Sequence, residues 1–161
     1  MKKYFKLTTL ILGLIMIITL CSCNVSLGNQ EDMSLVEKIV AEIQKECELP
    51  EMVEVSEDQL AQYYNIDKND VANFSAYVSD DSMTKDEIIL IEALTESEAC
   101  TIRDRLTTHR ENLLAESEEY LPDEYEMIKN CEVVKDGIYI RLFISNDANK
   151  MEEIYNSYMQ S

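Results

Sequence analysis

The chain has no tryptophan, and only three glycines, two prolines and one histidine in 161 residues. Each scarcity closes off chemistry. Phosphate cradles need glycine for close backbone approach. Gly137 is the only glycine after Gly28, and a hairpin turn at Asp136-Gly137 accounts for it, so nucleotide-binding loops are excluded. A zinc site needs several Cys and His ligands at short spacing, but there is no C-x-x-C and His109 stands alone. A Ser-His-Asp site would need His109 as its base, yet no G-x-S-x-G occurs and the residue falls beside the apolar stripe of a long helix. Cys100 precedes it on that helix by roughly 13 Å at 1.5 Å per residue, too far for a thiolate–imidazole pair. Basic residues are also few, 14 against 32 acidic, for a formal charge of −18. Nucleic-acid binding needs the opposite balance.

No apolar run reaches the roughly 20 residues that a spanning helix needs. A shorter one opens the chain. Lys2, Lys3 and Lys6 precede Leu7 to Leu20, an uncharged, largely apolar run of 14 residues, LTTLILGLIMIITL. That length fits a signal-peptide core of about 7–15 residues. Leu20-Cys21-Ser22-Cys23 follows and resembles the lipobox of bacterial lipoprotein signal peptides, with Leu20 at −3, Ser22 at −1 and Cys23 as the acceptor. Cys21 fits poorly, because bulky Leu20 would take its −1 place. The resemblance implies diacylglycerol on the Cys23 thiol and cleavage just before it, giving a signal over 1–22. At roughly 0.8 kcal/mol per buried CH₂, one acyl chain holds marginally and two hold stably. No other cofactor is expected.

Cleavage would remove three lysines and no acid, taking the charge from −18 to −21. Such a body stays soluble and attracts cationic partners. Cys47, Cys100 and Cys131 remain, each near apolar residues and read as small buried hydrophobes. A single disulfide among them is an open alternative.

Residues 23–33 are mostly polar and read as a tether, leaving 34–161 as one domain. Ser34 with Glu37 forms a capping-box pattern, and Leu35, Val36, Ile39, Val40 and Ile43 follow helical spacing. That helix ends near Glu48, before Pro50. A second short helix covers Ser56 to Tyr64, again with a capping box at Ser56 and Gln59. Asn65 to Asp70 is turn-like. Residues 71–79 alternate as a half-buried strand, with Ala72, Phe74, Ala76 and Val78 on one face. Glu87 to Leu94 is a more apolar, more central strand.

A long helix spans Thr95 to Tyr120. Pro122 opens another, running to about Asn130. Strands over 131–135 and 138–145 flank the turn, and Asn146 or Asp147 caps a last helix. The order α-α-β-β-α-α-β-β-α predicts an α+β domain. Its four-stranded, mostly antiparallel sheet comes from two β-hairpins, with helices packed on one face.

The mature region carries a second resemblance. Tyr120-Leu121-Pro122-Asp123-Glu124-Tyr125, Gly137-Ile138-Tyr139, Leu142-Phe143-Ile144-Ser145-Asn146-Asp147 and the strand opening Asp86-Glu87-Ile88 are similar to a domain-of-unknown-function family. Its members are predicted lipoproteins of Gram-positive bacteria. The resemblance implies a shared fold and an uncharacterised role at the cell envelope, and supplies no catalytic residues.

On the last strand Tyr139, Arg141 and Phe143 alternate opposite the aliphatic face, and Tyr77 and Asn73 share their side of the sheet. An aromatic–arginine patch can serve as a binding surface. The alternative is that the first helix or a dimer partner covers it. Six acids between Glu116 and Glu126 read as a solvated face, and an EF-hand echo at Asn65 to Asn69 fails because Asp70 replaces the required glycine. The expected function is therefore a lipid-anchored protein on the extracytoplasmic face of the bacterial membrane. Its role there is non-enzymatic binding or assembly with an envelope protein or cationic partner. The alternatives are an envelope hydrolase acting on peptide or glycan, and a Ca²⁺-dependent module.

Overall fold

The computed structural model describes residues 33–160. The expected signal segment, the lipid acceptor Cys23 and nearly all of the tether lie outside them. In chain order the elements are α1 (Leu35–Glu46), β1 (Met52–Glu54), α2 (Glu57–Tyr64), β2 (Val71–Ser79), β3 (Glu87–Ala93), α3 (Glu96–Ser117), α4 (Pro122–Lys129), β4 (Val133–Asp136), β5 (Tyr139–Ile144) and α5 (Ala148–Met159). A 3₁₀ turn at Lys68–Asp70 precedes β2.

Local chemistry sets the element ends. Ser34 accepts from Glu37 N while the Glu37 carboxylate accepts from Ser34 N at 2.7 Å. Ser56 and Gln59 repeat that exchange at the start of α2. Each pair satisfies two backbone donors that a helix start leaves open. Asn65 ends α2 in the left-handed region at φ +56°, which asparagine tolerates. Asp147 precedes α5, but its carboxylate accepts from Glu48 N at 2.8 Å instead of capping its own helix. It thereby ties the end of α1 to the start of α5.

The sheet has five strands in the order β1-β2-β3-β5-β4, and every neighbouring pair is antiparallel. The expected count of four is corrected by β1, which pairs Met52 with Ser79 and Glu54 with Tyr77 along the edge. Three residues carry too little alternation to register as a strand. The β4–β5 turn is also displaced by one residue. Asp136 pairs with Tyr139, so Gly137 and Ile138 are the central pair, and Gly137 supplies φ +58°. An irregularity at Val71/Asn73 in β2 puts Val71, rather than Ala72, against the core with Phe74 and Val78.

The helices pack on both faces of the sheet, which corrects the expected single face. Ile89, Ile91, Ile140, Leu142 and Ile144 meet α2, α3 and α4 through Leu60, Ile102, Leu106 and Ile128. Ile88, Leu90 and Phe143 meet α1 and α5 through Val36, Ile39, Ile43, Met151 and Tyr155. Because side chains alternate along a strand, β3 feeds both cores, and five of its seven residues are apolar and buried. Fully burying a side chain of this size stabilises by about 1.5–3 kcal/mol, so each layer is strongly held.

Candidate functional site

Tyr77, Arg141 and Phe143 do share one side of the sheet with Tyr139. Register pairs Tyr77 with Ile88 and Ile88 with Phe143, while Ser75, Leu90 and Arg141 form the next row. Tyr77 and Tyr139 are half-buried at the margin of this face, but its centre is not open to solvent. Phe143 is 2% exposed and Arg141 7%, beneath the layer of α1 and α5. The reading as an open patch gives way to the covered alternative, with the protein's own helices as the cover.

Arg141 is held there by Glu152 of α5. Nε lies 2.8 and 3.0 Å from the two carboxylate oxygens, and Nη2 reaches Oε2 at 2.7 Å. The guanidinium stacks 4.0 Å from the Tyr155 ring centroid, while Nη1 is buried with no partner among the described residues. The Tyr155 hydroxyl donates to Asp136 at 3.2 Å, and burial pushes its pKa up to about 12. At the rim, Asn73 and Tyr139 both donate to Glu92, at 2.7 and 3.3 Å. These groups spend their bonds on one another, as an internal network does.

The opposite face holds the more open chemistry. His109 takes a position in the inward stripe of α3, in step with Ala99, Ile102, Leu106 and Leu113. Glu87 is the first residue of β3 and shares the side of Ile89 and Ile91. The two meet. His109 Nε2 lies 2.9 and 3.1 Å from the Glu87 carboxylate oxygens, with side chains only 16% and 10% exposed. The Tyr64 ring closes against the imidazole edge-on, with centroids 4.5 Å apart. Burial, and then Glu87, raises the Tyr64 hydroxyl above its ordinary pKa.

Nε2 is the ring nitrogen that faces Glu87, and Nδ1 is the one left for other partners. Nδ1 makes no hydrogen bond among the described residues and is not among the buried unpaired atoms. Two clefts meet at Tyr63, Tyr64, His109 and Asn112. One, of about 390 Å³, runs between the end of α2 and one stripe of α3 that carries Thr101, Asp104, Arg105 and Thr108. The other, of about 500 Å³, adds Ser79, Thr84, Asp86, Glu87 and Glu116.

Cys47 and Cys131 are buried free thiols; Cys100 is also free but exposed, against the buried reading. Burial raises the thiol pKa of Cys47 and Cys131. In the acidic run, Glu124 accepts from Lys85 N at 2.7 Å and Glu126 pairs with Lys129. Among the described residues, no group of three His, Cys, Asp or Glu is arranged to hold a metal ion, and no helix is long and apolar enough to cross a membrane.

Sequence reasoning set His109 beside its helix stripe and gave Glu87 no role. The signal for both was available. The spacings 99, 102, 106, 109 and 113 put a polar residue in an apolar stripe, and the period of two in β3 aims Glu87 at the same layer.

A family model described as "Domain of unknown function (DUF4358)" matches residues 45–145. The matched span takes in the whole sheet, α2, α3, α4 and every cleft residue, and leaves out nearly all of α1 and the whole of α5. No curated protein and no solved structure matches this chain.

Proposed function

We propose that this chain, which belongs to the DUF4358 family of domains of unknown function, is a lipid-anchored extracytoplasmic binding domain that works through the cleft around His109. The cleft carries the binding half of that reading. A histidine pinned by a buried carboxylate borders two solvent-open clefts of about 390 and 500 Å³, within the size range of ligand sites. The location rests on residues 1–23. A basic start, a short apolar run and Cys23 at the end of a lipobox-like segment together form the pattern of a lipoprotein leader.

Binding is favoured over catalysis because Glu87 is the hydrogen-bonding partner of His109, and no Ser, Thr or Cys bonds to that ring among the described residues. The second reading, an envelope hydrolase acting on peptide or glycan, is favoured by the position of His109 on the cleft wall.

The anchor is tested by labelling cells with a tagged fatty acid and fractionating them. The unmodified chain is expected to carry label in the membrane fraction, and Cys23→Ala to lose it and be released or left unprocessed. Equal membrane retention and labelling of both would overturn the anchor.

A further inference from the structure

We propose that the groove between the end of α2 and the outer stripe of α3 is a carbohydrate-binding site, which takes a short neutral sugar through its hydroxyl groups. This rests on the binding reading above and names the ligand class. The groove has a volume of about 390 Å³, the scale of a small-molecule site. Its lining excludes other classes. Nearly every lining side chain is polar, so it does not suit a greasy ligand. A chain of net charge −18 repels anions, and no metal-holding cluster occurs among the described residues.

What the groove offers is unspent, directional hydrogen bonding beside an aromatic face. The Asn65 and Asn112 side chains make no hydrogen bond among the described residues. Each amide both donates and accepts, as a hydroxyl does. Arg103 takes only Oδ1 of Asp104, which leaves Oδ2 to accept. Arg105 stands 3.8 Å from Asp70, outside normal hydrogen-bond distance. The fork of an arginine matches paired acceptors and the remaining Asp104 oxygen takes a donor, and a sugar's hydroxyls present both. His109 contributes Nδ1, the ring nitrogen that Glu87 leaves free. Tyr63 is 55% exposed where the two clefts meet, and an aromatic face of this kind packs against the C–H side of a sugar ring through weak C–H contacts.

Because His109 is the only histidine, one labelled residue reports the site. Full-length protein, ¹⁵N-labelled at histidine and held in a sugar-free detergent, would be titrated with cellobiose, N,N′-diacetylchitobiose and 1,5-diaminopentane. The His109 Nδ1 resonance is expected to shift saturably with at least one of the sugars. Tyr63→Ala and Asn112→Ala, both at exposed positions, are each expected to weaken that sugar about tenfold, roughly 1.4 kcal/mol, while the Nε2 signature of the Glu87 bond stays unchanged. No saturable shift with either sugar, a shift with the diamine alone, or sugar binding indifferent to both substitutions would overturn the site. Cleavage of a bound sugar would uphold the site and overturn the non-enzymatic reading. Failure of the Cys23 labelling would leave this result untouched.

Discussion

Asp86 stands half-buried at the foot of β3, next to Glu87. Burial holds its carboxyl above the ordinary value of 3.8, and nearby Glu124 pushes in the same direction, while a hydrogen bond from Ser145 opposes both. A carboxyl whose pKa is raised on folding binds its proton more tightly in the folded chain. Its contribution is therefore most favourable below the unfolded value and is lost as pH rises through the folded one. At neutral pH the charged side chain costs stability. Asp86→Asn is expected to raise Tm at pH 7, with the gain shrinking as pH falls toward about 4 and gone below it. Thermal melts across that range check it; a loss of Tm at pH 7 would show that the Ser145 bond outweighs burial.

His109 and Arg141 are the other residues whose surroundings matter at this scale. Both are polar groups in apolar layers, and each is tolerated because one carboxylate receives it, Glu87 or Glu152. An unpaired charge in either place would cost several kcal/mol. The residue pattern showed the alternation that places Arg141 opposite the aliphatic face. It did not show which element would cover that face.

At the scale of elements, the β4–β5 turn is the most constrained connection. Gly137 holds φ +58°, and a Cβ added there would meet its nearest neighbour, Glu96 Oε1, at 3.8 Å. That is ordinary contact, so the cost of a side chain is in the backbone alone. Gly137→Ala is expected to destabilise by ~1–2 kcal/mol, a Tm lower by roughly 3–8 °C. An unchanged Tm would show that the turn relaxes to a conformation alanine accepts.

The longer elements were legible because their signals are local and repeated. The two capping boxes, the stripe over Val36 to Ile43 and the alternation of β2 each place a boundary within a residue or two. β1 was not legible, since three residues at an edge owe their strand conformation to pairing with β2. Ala72 was assigned to the core face for a related reason. A bulge is a property of two strands together, and one strand's alternation does not contain it.

At the scale of the molecule, 32 acids against 14 basic residues leave a large repulsion. Among the described residues, most of the ion pairs that offset it are between exposed side chains, where solvent screens them strongly. Salt should therefore stabilise the domain. Raising it from about 0.01 to 1 M shortens the screening length from roughly 30 to 3 Å and is expected to raise Tm steadily at pH 7. A falling Tm would show that attractive pairs outweigh the net charge.

The family-matched span contains the sheet and the cleft-bearing helices, while the layer made by α1 and α5 lies almost wholly outside it. That second layer is where the expectation of helices on one face failed. β3 is apolar on both sides, which shows that both are buried, but β3 alone does not name its covers. The amino-acid order by itself determined the α+β class, the extent of the long helices and main strands, and the acidic surface, because caps, periodicity and charge act over a few residues. The tertiary structure alone decided that the sheet is covered on both faces, that Arg141 and Phe143 lie under helices, and that His109 meets Glu87 beside an open cleft. Those outcomes depend on contacts between segments distant in the chain, which form only when whole faces pack.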